Sequence, residues 1–298
     1  MSDFQSVYAT FQARFRGSRE LIRERLGAYT PLLTDLERRS GSPRSAIDFG
    51  CGRGEWIQLL SERGWDALGV DSNDSMLQEA TALGLRVERG DLVDHIGKVS
   101  TESISLVSAF HVVEHVSHET LTAFIAESMR TLVPGGLLIL ETPNPENLAV
   151  GASNFYVDPT HLRPIPPSLL TFYVEQAGFG TSHIVRLNGE PGQTGAASLE
   201  QVVRPMFTRA PDYAVVAVKG NDTEGMSALA ASVQQIGQRP PVDFDALHAF
   251  SEELRTSLQR IEEDIVRLSK ETKPLRAAAA VGRRVRAALA HIVRRNQR

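Results

Sequence analysis

Ile47-Asp48-Phe49-Gly50-Cys51-Gly52-Arg53-Gly54 is the stretch on which the reading of this chain turns. The short run Ser45-Ala46-Ile47 leads into it, and Glu55-Trp56-Ile57-Gln58-Leu59-Leu60 leaves it with helical spacing. Three glycines at alternate positions let the backbone take positive φ and let a ligand approach closely. The helix behind them offers unpaired N–H groups at its N-terminus. A tight structural turn or a dinucleotide site would also fit, so the decision rests on the rest of the chain.

With 298 residues there is room for one large domain and an appendage. A hydrophobic content of 42% suits a globular protein with a sizeable core. Cys51 is the single cysteine, which excludes an internal disulfide and fits a reducing compartment. The sequence lacks the basic start and apolar core of a secretion signal. No run of about 18 apolar residues would span a bilayer, so a cytoplasmic protein is expected. The net charge of −4 hides an asymmetry: residues 274–298 carry seven arginines and no acid, which leaves −11 on the rest. Such an acidic body argues against nucleic acid as a partner.

Residues 1–44 read as a helical cover, with Phe11, Phe15, Leu21, Ile22, Leu26, Leu32, Leu33 and Leu36 at helical intervals. Gly17-Ser18 offers a break and an N-cap, and Pro31 a further interruption. Arg14, Arg16 and Arg19 read as a solvated basic face, with an anionic ligand as the rival use. Strand and helix then alternate over 45–142: strands at 45–49, 67–71, 85–89, 104–109 and 137–141, helices at 54–63, 73–83 and 117–132. Alternation of this kind predicts right-handed crossovers and a parallel sheet with helices on both faces. Ligands bind beyond the carboxyl ends of such strands. Residues 143–166 are rich in Pro and Asn and too long for a connector, which points to an active-site loop. A helix over 167–177 and strands over 183–187 and 213–218 follow, with a polar insertion at 188–210.

Beyond residue 220 the composition changes. A linker is expected over 221–243 and a coiled-coil helix over 244–273. There Leu247, Leu254, Ile261 and Leu268 recur every seven residues, and Leu258 and Ile265 fill the alternate seam. An amphipathic helix docked on its own domain is the rival reading. The segment 274–298 sets Val281, Val285, Ala288, Leu289 and Ile292 apart from its arginines. It reads as a basic amphipathic tail for an anionic membrane surface, or as a disordered basic tail.

Asp71 ends the second strand, seventeen residues after Gly54. A carboxylate there accepts both hydroxyls of a ribose. Asp91 is placed to meet an adenine edge, and Met76 to pack on the adenine ring. The glycine pattern of a dinucleotide site, Gly-x-Gly-x-x-Gly, is absent. Residues 45–218 resemble the class I S-adenosylmethionine-dependent methyltransferases. The resemblance rests on Asp48-Phe49-Gly50-Cys51-Gly52-Arg53-Gly54, Gly69-Val70-Asp71, Gly90-Asp91 and Leu132-Val133-Pro134-Gly135-Gly136. It implies an α/β fold, a Rossmann-like seven-stranded sheet whose last strand is antiparallel, with a methyltransferase domain over 45–220. It also implies S-adenosylmethionine as cofactor. Asp48 and Gly50, Cys51, Gly52 and Gly54 would hold the methionine end, Asp71 the ribose, and Asp91 with Leu92 the adenine. Trp56, Ser72 and Met76 complete the expected cofactor set.

His111-Val112-Val113-Glu114-His115 follows the fourth strand, where the methyl acceptor must sit. The spacing puts His111, Glu114 and His115 on one face of a helical turn. Three uses stay open: structural orientation of the strand end, a histidine general base, or a divalent cation that activates a hydroxyl. The pattern resembles the Glu-x-x-Glu-His segment of small-RNA 3′-terminal 2′-O-methyltransferases, which binds magnesium with a later histidine. By that likeness the metal set would be His111, Glu114, His115 and His161, with His111 in place of the first Glu. Three histidines and one Glu favour Mn, Fe, Ni or Zn over Mg.

Asn154-Phe155-Tyr156-x-Asp158-Pro159-Thr160-His161-x-Arg163-Pro164 is the most distinctive local string. With Phe15-Arg16-Gly17-Ser18-Arg19-Glu20 and Glu141-Thr142-Pro143-Asn144-Pro145-Glu146-Asn147 it resembles methyltransferases of bacterial surface-polysaccharide biosynthesis. Some of these cap the growing O-antigen of lipopolysaccharide and carry a coiled coil with a basic membrane-binding tail. The expected reaction is therefore O-methylation of the non-reducing terminal sugar of a polysaccharide acceptor. His115 or His161 would be the base or the metal-held activator, with His111 and Glu114 in support. Tyr156, Asp158 and Arg163 would bind the sugar, with Phe155, Tyr156 and Trp56 as stacking faces. A glycosyltransferase partner, a homo-oligomer through the coiled coil and peripheral contact with the inner face of the cell membrane belong to the same expectation. Two alternatives remain: a small-molecule methyltransferase of quinone or natural-product type, and a catalytically idle scaffold that recruits a glycosyltransferase to the membrane.

Overall fold

Strands covered on both faces must be largely apolar; the runs at 104–109, 137–141 and 213–218 meet that demand, whereas those at 85–89 and 183–187 carry charged residues, as edge strands can. The computed structural model describes residues 11, 17–39, 43–189, 205–208, 210–220, 223–236, 244–271, 282 and 284–286. The chain divides into two units, Met1–Thr194 with Arg204–Val242 and Gly195–Val203 with Asp243–Arg298.

The first unit holds seven strands: β1 (Ser45–Phe49), β2 (Asp66–Asp71), β3 (Val87–Arg89), β4 (Ile104–Phe110), β5 (Leu132–Pro143), β6 (Thr181–Leu187) and β7 (Asp212–Val218). They form one sheet in the order β3-β2-β1-β4-β5-β7-β6. β7 runs antiparallel to both β5 and β6, and β1 to β5 pair in parallel. The mixed seven-stranded sheet is the one the resemblance implied. The strand order reverses between β1 and β4, and such a reversal opens a crevice at the carboxyl ends. β5 begins earlier than expected, because Pro134-Gly135-Gly136 is taken into the strand across a register shift between Ile104 and Leu106.

Ser18 caps α1 (Arg19–Leu26), its hydroxyl accepting from the Leu21 N–H at 3.2 Å. A 3-10 turn over Gly27–Tyr29 leads into α2 (Thr30–Arg38). Pro31 stands in the first turn of α2, where its missing N–H costs nothing, so it starts a helix rather than interrupting one. The crossovers are α3 (Glu55–Glu62), α4 (Asp74–Ala82), α5 (Leu92–Ile96) and α6 (His118–Thr131). After β5 come α7 (Leu148–Ala152), a 3-10 turn at Asn154–Val157 and α8 (Pro167–Gln176). Then follow α9 (Pro205–Thr208) and α10 (Thr223–Ile236). Two cores result, one on each face of the sheet. Tyr29, Leu32, Leu33, Leu36, Trp56, Ile57 and Leu60 fill one, and Phe124, Ile125, Leu170 and Val174 belong to the other.

The segment 221–243, expected as a linker, contains α10, whose Leu229 and Val233 are buried in the first core. Two large apolar residues four apart share one face of a helix. Small neighbours such as Ala228 and Ala231 hide that face from a composition-based reading. Residues 190–204 and 209 of the expected insertion lie outside the described residues.

The second unit holds α11 (Phe244–Glu271), the helix expected over 244–273. Leu254, Leu258 and Ile261 are exposed along it. Of the basic tail, only Gly282 and residues 284–286 are described, and they are helical. Arg286 Nη1 donates to Glu262 Oε2 at 2.6 Å. Among the described residues no helix is long and apolar enough to cross a membrane.

If α10 belongs to the core, Leu229→Ala leaves a cavity and costs about 2–5 kcal/mol in urea unfolding. An unchanged midpoint would return the segment to linker status.

Candidate active site

At the β1–α3 turn, Gly50, Gly52 and Gly54 take φ values of +68°, +54° and +77°. Gly50 and Gly54 also supply room. A Cβ on Gly50 would lie 2.2 Å from Val112 Cγ2, and one on Gly54 2.8 Å from Leu85 Cδ1. The loop is tied from two sides. Asp71 accepts from the Gly52 N–H at 2.9 Å and the Asn73 N–H at 2.8 Å. Asp48 is buried and accepts from Ser108 Oγ at 2.7 Å, joining β1 to β4. Asp91 caps α5, both bonds from Val93 and Asp94 falling on Oδ1, which leaves Oδ2 of this exposed residue for a ligand. Ser72 is exposed in the turn after β2, and Met76 is half-buried on α4.

Three expected cofactor residues turn their side chains elsewhere. Trp56 is core: its ring meets Tyr29 and Phe110 edge-on, at centroid distances of 6.0 and 5.3 Å. Cys51 is buried against Gly69, where an added Cβ would stand 2.7 Å from Sγ. Leu92 packs into the second core. Each lies within or beside a cofactor motif, but its side chain faces the interior.

β4 ends at Phe110, and His111 adopts φ +55°, a region non-glycine residues seldom occupy. The 3-10 turn Val113–His115 follows. The four residues expected as one metal set divide into two clusters. Glu114, His115 and His161 converge, one ligand atom from each lying within 4.8 Å of the others. His111 stands instead with Glu141 from β5 and Asp212 from β7, within the same limit. Its Nε2 is 3.3 Å from Glu141 Oε1 and 3.7 Å from Asp212 Oδ1, while its Nδ1 is 3.3 Å from Glu114 Oε1. The outer carboxylate oxygens are held from behind. Tyr29 OH donates to Glu141 Oε2, and Asn188 Nδ2 donates to Asp212 Oδ2 at 2.7 Å.

The 154–164 loop decides which nitrogen each remaining histidine presents. The Phe155 carbonyl only accepts, so His161 Nδ1, 2.6 Å away, carries the proton and Nε2 keeps its lone pair when neutral. Thr160 Oγ1 donates to Asp158 Oδ1 at 2.6 Å and therefore accepts from His115 Nδ1 at 2.9 Å. His115 Nε2 is thus free as well. Glu114 Oε2 accepts from Thr142 Oγ1 at 2.9 Å, whereas Oε1 is buried with no hydrogen bond of good geometry. Asp158 thus orients His115 through Thr160. Arg163 likewise braces the Val116 carbonyl at 3.1 Å. Tyr156, of the expected acceptor residues, alone presents a free face, 63% exposed.

Charge follows from these neighbours. Burial works against a charged His111, but the Glu114 and Glu141 carboxylates and Asp212 overcome it and hold its pKa well above the ordinary histidine value. His111 is thus a cation, unsuited to act as a base. Burial likewise opposes charge on Glu114, yet the His111 cation 3.3 Å away keeps it ionised. Burial lowers the His115 pKa, so its imidazole is neutral. Burial and the Glu141 charge raise that of Asp212.

A glycine-turned loop at the carboxyl end of β1, a carboxylate ending β2 and ionisable residues after β4 define a methyltransferase architecture. The methyltransferase-domain family matches residues 21–183, and the chain belongs to it. The match begins inside α1, within the segment set apart above as a cover. A probable S-adenosylmethionine-dependent methyltransferase of Mycolicibacterium smegmatis is 27% identical over 56% of this chain and 66% of its own length. A ubiquinone biosynthesis O-methyltransferase of Rickettsia conorii is 29% identical over 42% of the chain and 45% of its own. The chain thus spans less than two thirds of these curated relatives. The crystal structure of an S-adenosylmethionine-dependent methyltransferase from Archaeoglobus fulgidus superposes with a TM-score of 0.60 at 29% identity, over 71% of this chain and 99% of that one. The domain is an S-adenosylmethionine-dependent methyltransferase, and the 48–54 loop, Asp71 and Asp91 stand at or just beyond the carboxyl ends of β1, β2 and β3.

Asp212 and Tyr29 were not among the expected site residues, and Glu141 was singled out only within the 141–147 string and not as a neighbour of His111. Glu141 and Asp212 are acids that bound otherwise apolar strands at the ligand-binding edge, and that was the available signal. Tyr29→Phe strips the buried Glu141 carboxylate of a donor and is expected to cost about 1–3 kcal/mol in urea unfolding. An unaltered unfolding curve would show that the bond contributes nothing.

Proposed function

We propose that the chain transfers a methyl group from S-adenosylmethionine to a hydroxyl presented to Glu114, His115 and His161, and that these three residues hold a divalent metal ion. One observation carries the metal reading: His115 and His161, each tied at Nδ1, and the buried Glu114 bring one ligand atom apiece within 4.8 Å of one another, with His161 Nε2 3.9 Å from Glu114 Oε1. Ligating histidines generally have their other ring nitrogen tied in this way. Two imidazoles and one carboxylate suit Mn, Fe, Ni or Zn better than Mg. Such an ion would supply a lowered hydroxyl pKa when bound.

The chain's own residues provide the rest. The glycine loop and Asp71 fix the donor, and transfer in line from sulfonium to oxygen then depends on positioning. His115, kept neutral by burial, accepts the hydroxyl proton if no ion is held. His111 remains charged between its carboxylates and keeps Glu114 ionised.

For the acceptor we favour the terminal sugar hydroxyl of a bacterial surface polysaccharide. The 154–164 loop supports this reading, since Tyr156 offers an exposed ring of the kind that stacks on sugars. α11 supports assembly of copies, for Leu254, Leu258 and Ile261 lie along one seam of its heptads. Contact with the inner membrane face, and a glycosyltransferase partner, rest on the basic tail and the layout of the chain. A small quinone-type acceptor is the second reading, favoured by the ubiquinone O-methyltransferase relative.

Two measurements test these proposals. Dialysis against EDTA should cut turnover at least about tenfold, with recovery on adding Mn or Zn, as the loss of a Lewis acid requires. Full activity in chelated enzyme would sink the metal. Mass spectrometry of purified polysaccharide should show one added methyl per chain end. Turnover confined to free phenolic acceptors would favour the second reading.

A further inference from the structure

Arg19, the first residue of α1, has no part in the chemistry described above, yet its side chain is only 16% exposed. Its Nη1 donates to the carbonyl of Arg53 at 2.7 Å, inside the glycine loop. Nε and Nη2 share Gln58 Oε1 on α3 at 3.2 and 2.8 Å, and Nη1 also meets Glu79 on α4 at 3.3 Å. The tie is reciprocal: Arg53 Nη2 donates to the carbonyl of Gly17, two residues before Arg19, at 3.2 Å.

Arg53 lies between two glycines of positive φ. Its peptide with Gly54 is gripped at both ends, for the Gly54 N–H donates to the Cys51 carbonyl at 2.9 Å while Arg19 takes the Arg53 oxygen. Glycine reaches positive and negative φ with similar ease, so a peptide next to it can flip at little steric cost. A flip here would exchange donors for acceptors in the loop that receives the methionine end of the cofactor. The guanidinium bond opposes it with a charge-assisted donor, stronger than a neutral one.

We propose that Arg19 is a positioning residue: it sets the Arg53–Gly54 peptide, and through it the methionine end of the cofactor site, from outside the sheet. α1 is then a working part of cofactor binding. The inference rests on the assignment of the 48–54 loop to S-adenosylmethionine.

Calorimetry on the full chain tests it with two probes. S-adenosylhomocysteine carries the amino-acid end, and 5′-methylthioadenosine lacks it. In Arg19→Gln the Kd for S-adenosylhomocysteine should rise about tenfold or more, the loss expected for a hydrogen bond from a charged donor. That for methylthioadenosine should change less than about twofold. Arg19→Lys keeps the charge without the planar fork and should fall between, which also covers a failure of Arg19→Gln to fold. Glu79→Gln should leave both constants within about twofold, as an exposed ion pair contributes little. Equal losses for both probes would reduce Arg19 to a general structural brace, and wild-type affinity in Arg19→Gln would remove its role altogether. Absence of binding by the unaltered chain would strike the cofactor assignment itself, and this role with it.

Discussion

The contact between Gly50 and Val112 joins the two halves of the site. Gly50 belongs to the turn after β1, and Val112 follows β4. A single added methyl at Gly50 would lie 2.2 Å from Val112 Cγ2, well inside contact distance. Neighbouring parallel strands bring these two turns together, and only glycine lets them close. Glu114 and His115 stand two and three residues beyond Val112, so their distance from the cofactor loop is inherited from this packing. Interiors packed at crystal density transmit such a constraint with little slack.

Around that contact the charges are arranged as a small ionic lattice. Asp48, Glu114, Glu141 and Asp212 are all buried acids at one end of the sheet. Buried carboxylates are stable only when paired or hydrogen-bonded. His111 faces three of them, and its unusual φ of +55° turns it toward them. Ser108, Thr142, Tyr29 and Asn188 satisfy oxygens that His111 does not reach. The acid-rich edge thus keeps its negative charge without collapsing onto His115 and His161.

Much of this was legible in the sequence for a physical reason. Glycine spacing at 50, 52 and 54 and the carboxylates at 48, 71 and 91 are local demands of backbone and ligand, so neighbours along the chain reveal them. His111 to His115 could be placed after β4 because strand ends are local too. What could not be read was how His111 and His115 part company, since that depends on Glu141 and Asp212, tens of residues away. Side-chain direction was the other gap. Trp56, Cys51 and Leu92 sit within or beside cofactor motifs yet point into the core, while Asp158 bonds Thr160 within its own loop and Arg163 reaches back to the Val116 carbonyl. The helix at Thr223–Ile236 stayed hidden because alanine-rich stretches carry little hydrophobic contrast.

Asp212 enters this edge only because β7 runs against its neighbours, so its first residue lies where the other strands end. Asn188, just past the end of β6, is bonded to it, and Leu187 pairs with it in the sheet. The chain on either side of residues 189–211 is therefore fastened together beside the His111 cluster. Closing a longer loop over a fixed base costs only about 0.6 kcal/mol per doubling of its length. A change of length between Asn188 and Asp212 therefore leaves His111 and its carboxylates where they stand.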